Sequence, residues 1–134
     1  MMRATVATLS PGCSSISREP RAVRPFCGTE LTRVRSATVY GGVSKGPQIT
    51  KLRAGAEIAV VCPGRLLDLM NQREVSLADV EVLVLDEADR MFDMGFLPDI
   101  RRIMARLPVE RQTLLFSATM PKDIRDLVQE FLHN

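Results

Sequence analysis

Histidine, lysine and cysteine are scarce in this chain, and each scarcity removes a class of chemistry. The one histidine, His133, stands beside the C-terminus. With no second imidazole to act as base, serine–histidine and cysteine–histidine nucleophilic mechanisms are nearly excluded, and His133 reads as part of a frayed helix end. The three cysteines, Cys13, Cys27 and Cys62, are odd in number and have no C-x-x-C spacing. They suggest neither a disulfide framework nor a zinc site, and they fit a reducing, cytoplasmic compartment. No run approaches the roughly 18 apolar residues of a membrane-crossing helix. The lysines, Lys45, Lys51 and Lys122, follow Ser44, Thr50 and Pro121. A phosphate loop of the form G-x-x-x-x-G-K-[ST] needs glycine directly before its lysine, so none is present.

What remains is ordinary for a globular chain. The 134 residues allow one domain at most, and 46% hydrophobic with 25% charged residues permits a real core. A net charge of +2 is too small to argue for nucleic acid by itself. Residues 1–33 are Ser-, Thr-, Pro- and Arg-rich, with Arg3, Arg18, Arg21, Arg24 and Arg33 against Glu19 and Glu30. They have no apolar period and read as a disordered leader. A transit peptide would share that composition, but a leader without an address, or a misassigned start, is the reading preferred.

From residue 34 the texture changes. "SATVY" (36–40), "EIAVVC" (57–62), "VLVL" (82–85) and "TLLFS" (113–117) read as strands. "VLVL" is apolar at consecutive positions, which suits a parallel strand covered on both faces. Between the strands, "PQITKLRAG" (47–55) reads as a helix closed by Gly55, and Pro63 opens one carrying Leu66, Leu67 and Met70. Phe96, Ile100, Ile103, Met104 and Leu107 mark the face of another helix, and Ile124, Leu127, Val128 and Phe131 the face of a last one begun at Pro121. Strands alternating with helices imply parallel βαβ units and an open α/β sheet.

In such sheets ligands bind beyond the carboxyl ends of the strands. Three of the expected strands end in small or polar residues: Gly41-Gly42, Asp86-Glu87 and Ser117-Ala118-Thr119. The fourth ends at Cys62, followed by Pro63-Gly64-Arg65. If the strands are parallel, all four tips share one polar edge. An Asp fixed at a strand end can hold Mg²⁺ through water, and an adjacent Glu, pointing elsewhere, can polarise an attacking water. Acids favouring a helix dipole would look the same at this single position.

The ordered set resembles the DEAD-box ATP-dependent RNA helicases, most closely their RhlE-like bacterial group. "DEAD" (86–89) lies inside "VLVLDEADRMFDMGF", "SAT" (117–119) follows "RQTLLF" and begins 31 residues after Asp86, "PGR" (63–65) and "GG" (41–42) precede them, and order and spacing agree over about residues 34–134. The resemblance implies an incomplete RecA-like parallel sheet flanked by helices, the later part of the family's first domain. It implies that Asp86 holds Mg²⁺ through water and Glu87 orients the hydrolytic water. Asp89 would pair with Ser117 and Thr119 to report the nucleotide state. Gly41, Gly42, Cys62, Pro63, Gly64 and Arg65 would meet RNA phosphates and sugars without reading sequence. Cys62 departs from the family's usual Thr, and a thiol is the poorer hydrogen-bond partner.

The family's lysine loop and PTRELA-type segment precede its "GG", and a second RecA-like domain follows. None of the three is found in these residues; "GTELTRVR" (28–35) echoes PTRELA too faintly and too close to Gly41. ATP and Mg²⁺ are therefore expected in a complete parent and not held tightly by this chain. Without the lysine and its amide cradle, Asp86 and Glu87 have no triphosphate to act on. Two other readings stay open beside a fragment of an RNA-dependent ATPase: a non-catalytic RNA- or protein-binding half-domain, and an inert gene remnant.

Overall fold

A computed structural model describes residues 6–9 by their backbone pairing and residues 34–132 in full. Among these described residues five strands form one sheet: β1 (Val6–Leu9), β2 (Ser36–Val39), β3 (Ile58–Val61), β4 (Val82–Leu85) and β5 (Gln112–Leu115). Their spatial order is β2-β3-β1-β4-β5, and every neighbouring pair is parallel. The four strands expected from the sequence are present, each within a residue or two of its expected bounds. The strand at Val6–Leu9 falls in the stretch expected to have no element, and it pairs with both β3 and β4. Four residues beside a Ser-Pro step offer no period to read, and their place between two strands comes from tertiary pairing.

Among the described residues five helices accompany the sheet: α1 (Gly46–Arg53), α2 (Pro63–Asn71), α3 (Ala88–Asp93), α4 (Leu97–Met104) and α5 (Lys122–Phe131). Pro47, Pro63 and Pro98 occupy the first turns of α1, α2 and α4, where the missing N–H costs no hydrogen bond. Gly55, at φ +88°, takes the left-handed turn beyond α1, and a Cβ there would lie 2.9 Å from the Arg35 guanidinium. α3 was not expected from the sequence.

One apolar cluster joins the sheet to the helices. Ala37, Val39, Ala59, Val61, Leu83 and Leu85 pack with Leu52 of α1, Leu66 and Leu69 of α2, Met91 of α3, Ile100 and Ile103 of α4 and Leu127 of α5. Alternate strand residues Ile58, Val60, Val82 and Val84 face the other way and are half-buried. Coverage of β4 is thus unequal, complete on the helix-packed face and partial on the other, where the sequence suggested both. Among the described residues no helix is long and apolar enough to cross a membrane. His133 lies outside the described residues, as do Cys13 and Cys27.

Candidate nucleotide and nucleic-acid site

The pairing register aligns Val39 with Val61 and Leu85 with Leu115, so the carboxyl ends of β2, β3, β4 and β5 fall on one edge. β1 separates the four into two pairs. The β2 and β3 tips carry Gly41-Gly42 and Pro63-Gly64-Arg65; the β4 and β5 tips carry Asp86-Glu87-Ala88-Asp89 and Ser117-Ala118-Thr119. Two strand spacings, about 10 Å, separate β3 from β4.

At the β4–β5 pair the backbone does the first work. Phe116 N–H donates to the Leu85 carbonyl at 2.8 Å, and Ala88 N–H donates to the Phe116 carbonyl at 3.0 Å. Leaving the strand requires a sharp reversal, and Glu87 makes it in the left-handed region, φ 50° and ψ 49°. Such a conformation is uncommon for a residue with a Cβ and costs of order 1 kcal/mol. It parts the two acids: Asp86 Oδ1 accepts from Glu87 N–H at 3.0 Å, and Glu87 Oε2 accepts from Arg90 Nη1 at 3.1 Å. Both acids are exposed, while Ala88 and Met91 are fully buried and seat α3 on the core.

Asp89 reaches back across to the β5 tip. Its Oδ2 accepts from both Thr119 N–H and Thr119 Oγ1 at 2.9 Å. Its own N–H donates to Ser117 Oγ at 3.1 Å, and that hydroxyl donates to the Thr119 carbonyl at 2.7 Å. The Thr119 hydroxyl beside it holds the Asp89 carboxyl below its ordinary range; desolvation opposes, and the Thr119 and Arg90 amides and Ser117 add to the lowering.

At the β2–β3 pair, Cys62 N–H donates to the Val39 carbonyl at 2.8 Å, and the half-buried Cys62 forms the N-cap of α2 in extended conformation. Pro63 is buried, and Gly64 sits where a Cβ would be 3.8 Å from the Phe96 ring. Arg65 turns back over the glycine loop, with Nη2 donating to the Val43 carbonyl at 3.1 Å. Its Nη1 is buried and has no hydrogen-bond partner among the described residues. Gly42, at φ +79°, sits where the backbone of a residue with a Cβ would be strained; Gly41 does not. A Cβ built on either meets nothing within 4 Å. The chain's own packing therefore gives no reason for glycine at 41.

A residue missed from the sequence joins this pair. Gln48, on the helix that follows the glycines, is buried and hydrogen-bonded to Tyr40. The edge also suits a metal in one way only. Among the described residues no three His, Cys, Asp or Glu side chains converge on a point. A lone strand-end carboxylate fits Mg²⁺ held through water and substrate oxygens, not an all-protein cage. A cavity of about 440 Å³ lies at the opposite, amino ends of the strands. Glu57, Asp79, Glu81 and Glu110 line it, so it would repel a phosphate.

Comparisons with known proteins agree with this arrangement. A family model described as "DEAD/DEAH box helicase" matches residues 19–127, beginning inside the segment that the sequence alone set apart as a leader. The ATP-dependent RNA helicase DBP2 of Ajellomyces capsulatus is 52% identical over 112 residues, covering 79% of this chain and 21% of that protein. DBP2 of Encephalitozoon cuniculi is 44% identical over 128 residues, 96% of this chain and 26% of its own length. A hypothetical ATP-dependent RNA helicase from Sulfolobus tokodaii superposes with a TM-score of 0.80 at 36% identity, covering 97% of this chain and 38% of that one. The chain thus spans about a fifth to a quarter of these two curated relatives. Both are eukaryotic DBP2 proteins, so the expected nearness to the RhlE-like bacterial group is not supported; motifs that serve chemistry common to a family do not separate its branches. By sequence and by fold, the chain belongs to the DEAD/DEAH box helicase family.

Proposed function

We propose that the chain is the later part of the first RecA-like domain of an ATP-dependent RNA helicase, working in the cytoplasm and completed there by a lysine loop and a second RecA-like domain. Asp86 would hold Mg²⁺, and the ion when bound would neutralise charge on the phosphates. Glu87, turned away from Asp86 by its left-handed backbone, orients the attacking water. Asp89 ties the acidic strand end to Ser117 and Thr119, so that a shift at one tip is felt at the other. Gly41, Gly42, Gly64 and Arg65 meet the RNA backbone, with Cys62 and Pro63 setting the start of α2.

The observation that carries this reading is the closed hydrogen-bond set between Asp89 and residues 117–119, which spans two neighbouring strand ends. A helix that merely wore acids at its N-terminus would not need it. These 134 residues lack the lysine loop, so the purified chain is expected neither to hydrolyse ATP nor to unwind RNA. Magnesium- and RNA-stimulated ATP turnover that Glu87→Gln abolishes would overturn that expectation.

The second reading is a half-domain that binds RNA without catalysis, and the buried, unpartnered Arg65 Nη1 beside the glycine loop favours it. Salt-sensitive binding of single-stranded RNA, lost in Arg65→Glu, would support it; no binding at low salt would remove it.

A further inference from the structure

We infer that Gln48 is a positioning residue for the Gly41-Gly42 loop, holding it open for a phosphate backbone; the inference rests on the RNA-facing reading above. β2 lies at one end of the sheet, so the backbone beyond Val39 has β3 on one side and, among the described residues, no strand on the other. Gln48 supplies the missing neighbour. Its Oε1 accepts from Tyr40 N–H at 3.2 Å, and its Nε2 donates to the Tyr40 carbonyl at 3.1 Å. One amide thereby reproduces the donor–acceptor pair of a strand, at the last residue before the two glycines.

Burial of the side chain argues that this is a built contact. Gln48 is only 6% exposed and is the one buried polar residue among those described. It stands in the first turn of α1, behind the loop, where its two bonds satisfy the amide that burial would otherwise leave unpaired.

The same loop is held further along by α2. Arg65 grips the Val43 carbonyl, and Lys45 Nζ pairs with Asp68 Oδ2 at 2.7 Å. Tyr40, Val43 and Lys45 are thus tied down by three side chains from two helices, while Gly41 and Gly42 between them stay exposed with open space where a Cβ would be. Two glycines without such ties would sample many conformations, and a ligand would have to order them on binding. Holding the chain on either side removes that cost beforehand.

The test uses the full 134-residue chain, ¹⁵N-labelled, with an oligouridylate as the RNA probe. In the wild type the Gln48 side-chain amide protons and the Tyr40 amide should exchange slowly; fast exchange of both would overturn the inference without any variant. In Gln48→Met, similar in length but without the hydrogen bonds, the heteronuclear NOE of Gly41 and Gly42 should fall towards flexible values. Oligouridylate affinity at low salt should weaken about fivefold or more. Gln48→Glu should behave like Gln48→Met at about pH 8, where the carboxylate cannot donate to the Tyr40 carbonyl. It should recover towards wild type at about pH 5 or below, as a buried carboxyl regains its proton. A purely structural role would move melting temperature without this pH-dependent recovery of loop order. Rigid glycines in a folded Gln48→Met, or unchanged affinity, would overturn the inference alone. No wild-type binding at low salt would instead overturn the RNA reading beneath it.

Discussion

Asp89 Oδ2 accepts two hydrogen bonds from one residue, Thr119, through its backbone N–H and its hydroxyl, each at 2.9 Å. Both favour the ionised carboxylate, so the folded pKa lies below the ordinary value of 3.8. A depressed folded pKa contributes stability that is present above the unfolded pKa. It is lost as pH falls through the folded one. Thr119→Val keeps the backbone bond and deletes the hydroxyl, the largest of the lowering influences. A carboxyl-detected NMR titration should show the Asp89 midpoint moving up towards the ordinary value in Thr119→Val, and the acid limb of unfolding moving up with it. A midpoint that stays where the wild type has it would show that the hydroxyl contact does not persist in solution.

Glu87 is not glycine at a position, φ 50° and ψ 49°, where glycine would be easiest. If the acid serves chemistry and not the fold, replacing it should change stability only through the backbone conformation of the new residue. Glu87→Gly should leave stability unchanged or raise it by up to about 1 kcal/mol, because it removes the Cβ that resists the left-handed region. Glu87→Val should lower it by about 1–2 kcal/mol, since β-branched residues resist that region most. Urea unfolding of the three proteins decides the matter; equal stability of the Gly and Val variants would mean that the turn relaxes in solution.

These two contacts mark how far the sequence could be read. Apolar runs ending in Gly41, Cys62, Asp86 and Ser117 disclosed four strands and their common polar edge, because parallel buried strands need little besides an apolar run and a polar tip. The likeness of ordered motifs then pointed to Asp89, Ser117 and Thr119, which the fold joins. β1 escaped notice because "VATL" is too short to show a period and its neighbours are Ser, Pro and Arg. α3 is only six residues long, and its start depends on a left-handed glutamate, which no propensity would suggest. Gln48 was unreadable for a different reason: burial of a lone amide is decided by a backbone partner eight residues away, and the side chain itself is polar.

Cys62 offers a gain-of-function test. It caps α2 in extended conformation, a place that favours hydroxyl side chains, and its side chain forms no cap bond. Cys62→Thr should stabilise the chain by about 0.5–1 kcal/mol through the cap. Under the RNA reading it should also tighten binding of single-stranded RNA at low salt, because a hydroxyl donates to a phosphate oxygen better than a thiol does. Unchanged affinity alongside raised stability would confine the substitution to a capping effect and would defeat a phosphate contact here.

β5 closes the sheet on one side, and its outer backbone edge faces no strand among the described residues. Leu114 is 37% exposed and Phe116, two residues on and on the same face, 53%. The register places Leu114 beside Val84, and Thr38 beside Val60, so the apolar patch continues inward over half-buried valines. An unpaired edge next to exposed apolar side chains invites pairing with another chain. The purified protein should therefore self-associate as concentration rises, as followed by sedimentation velocity. Leu114→Lys combined with Phe116→Lys should suppress this with little change in fold, since both side chains are already partly in water and a lysine on an edge blocks further pairing. The Phe116 backbone bonds to Leu85 and Ala88 should survive the change, and far-UV circular dichroism would register their loss. A wild type that stays monomeric at high concentration would refute the association, and a double variant that associates as strongly would place its surface elsewhere.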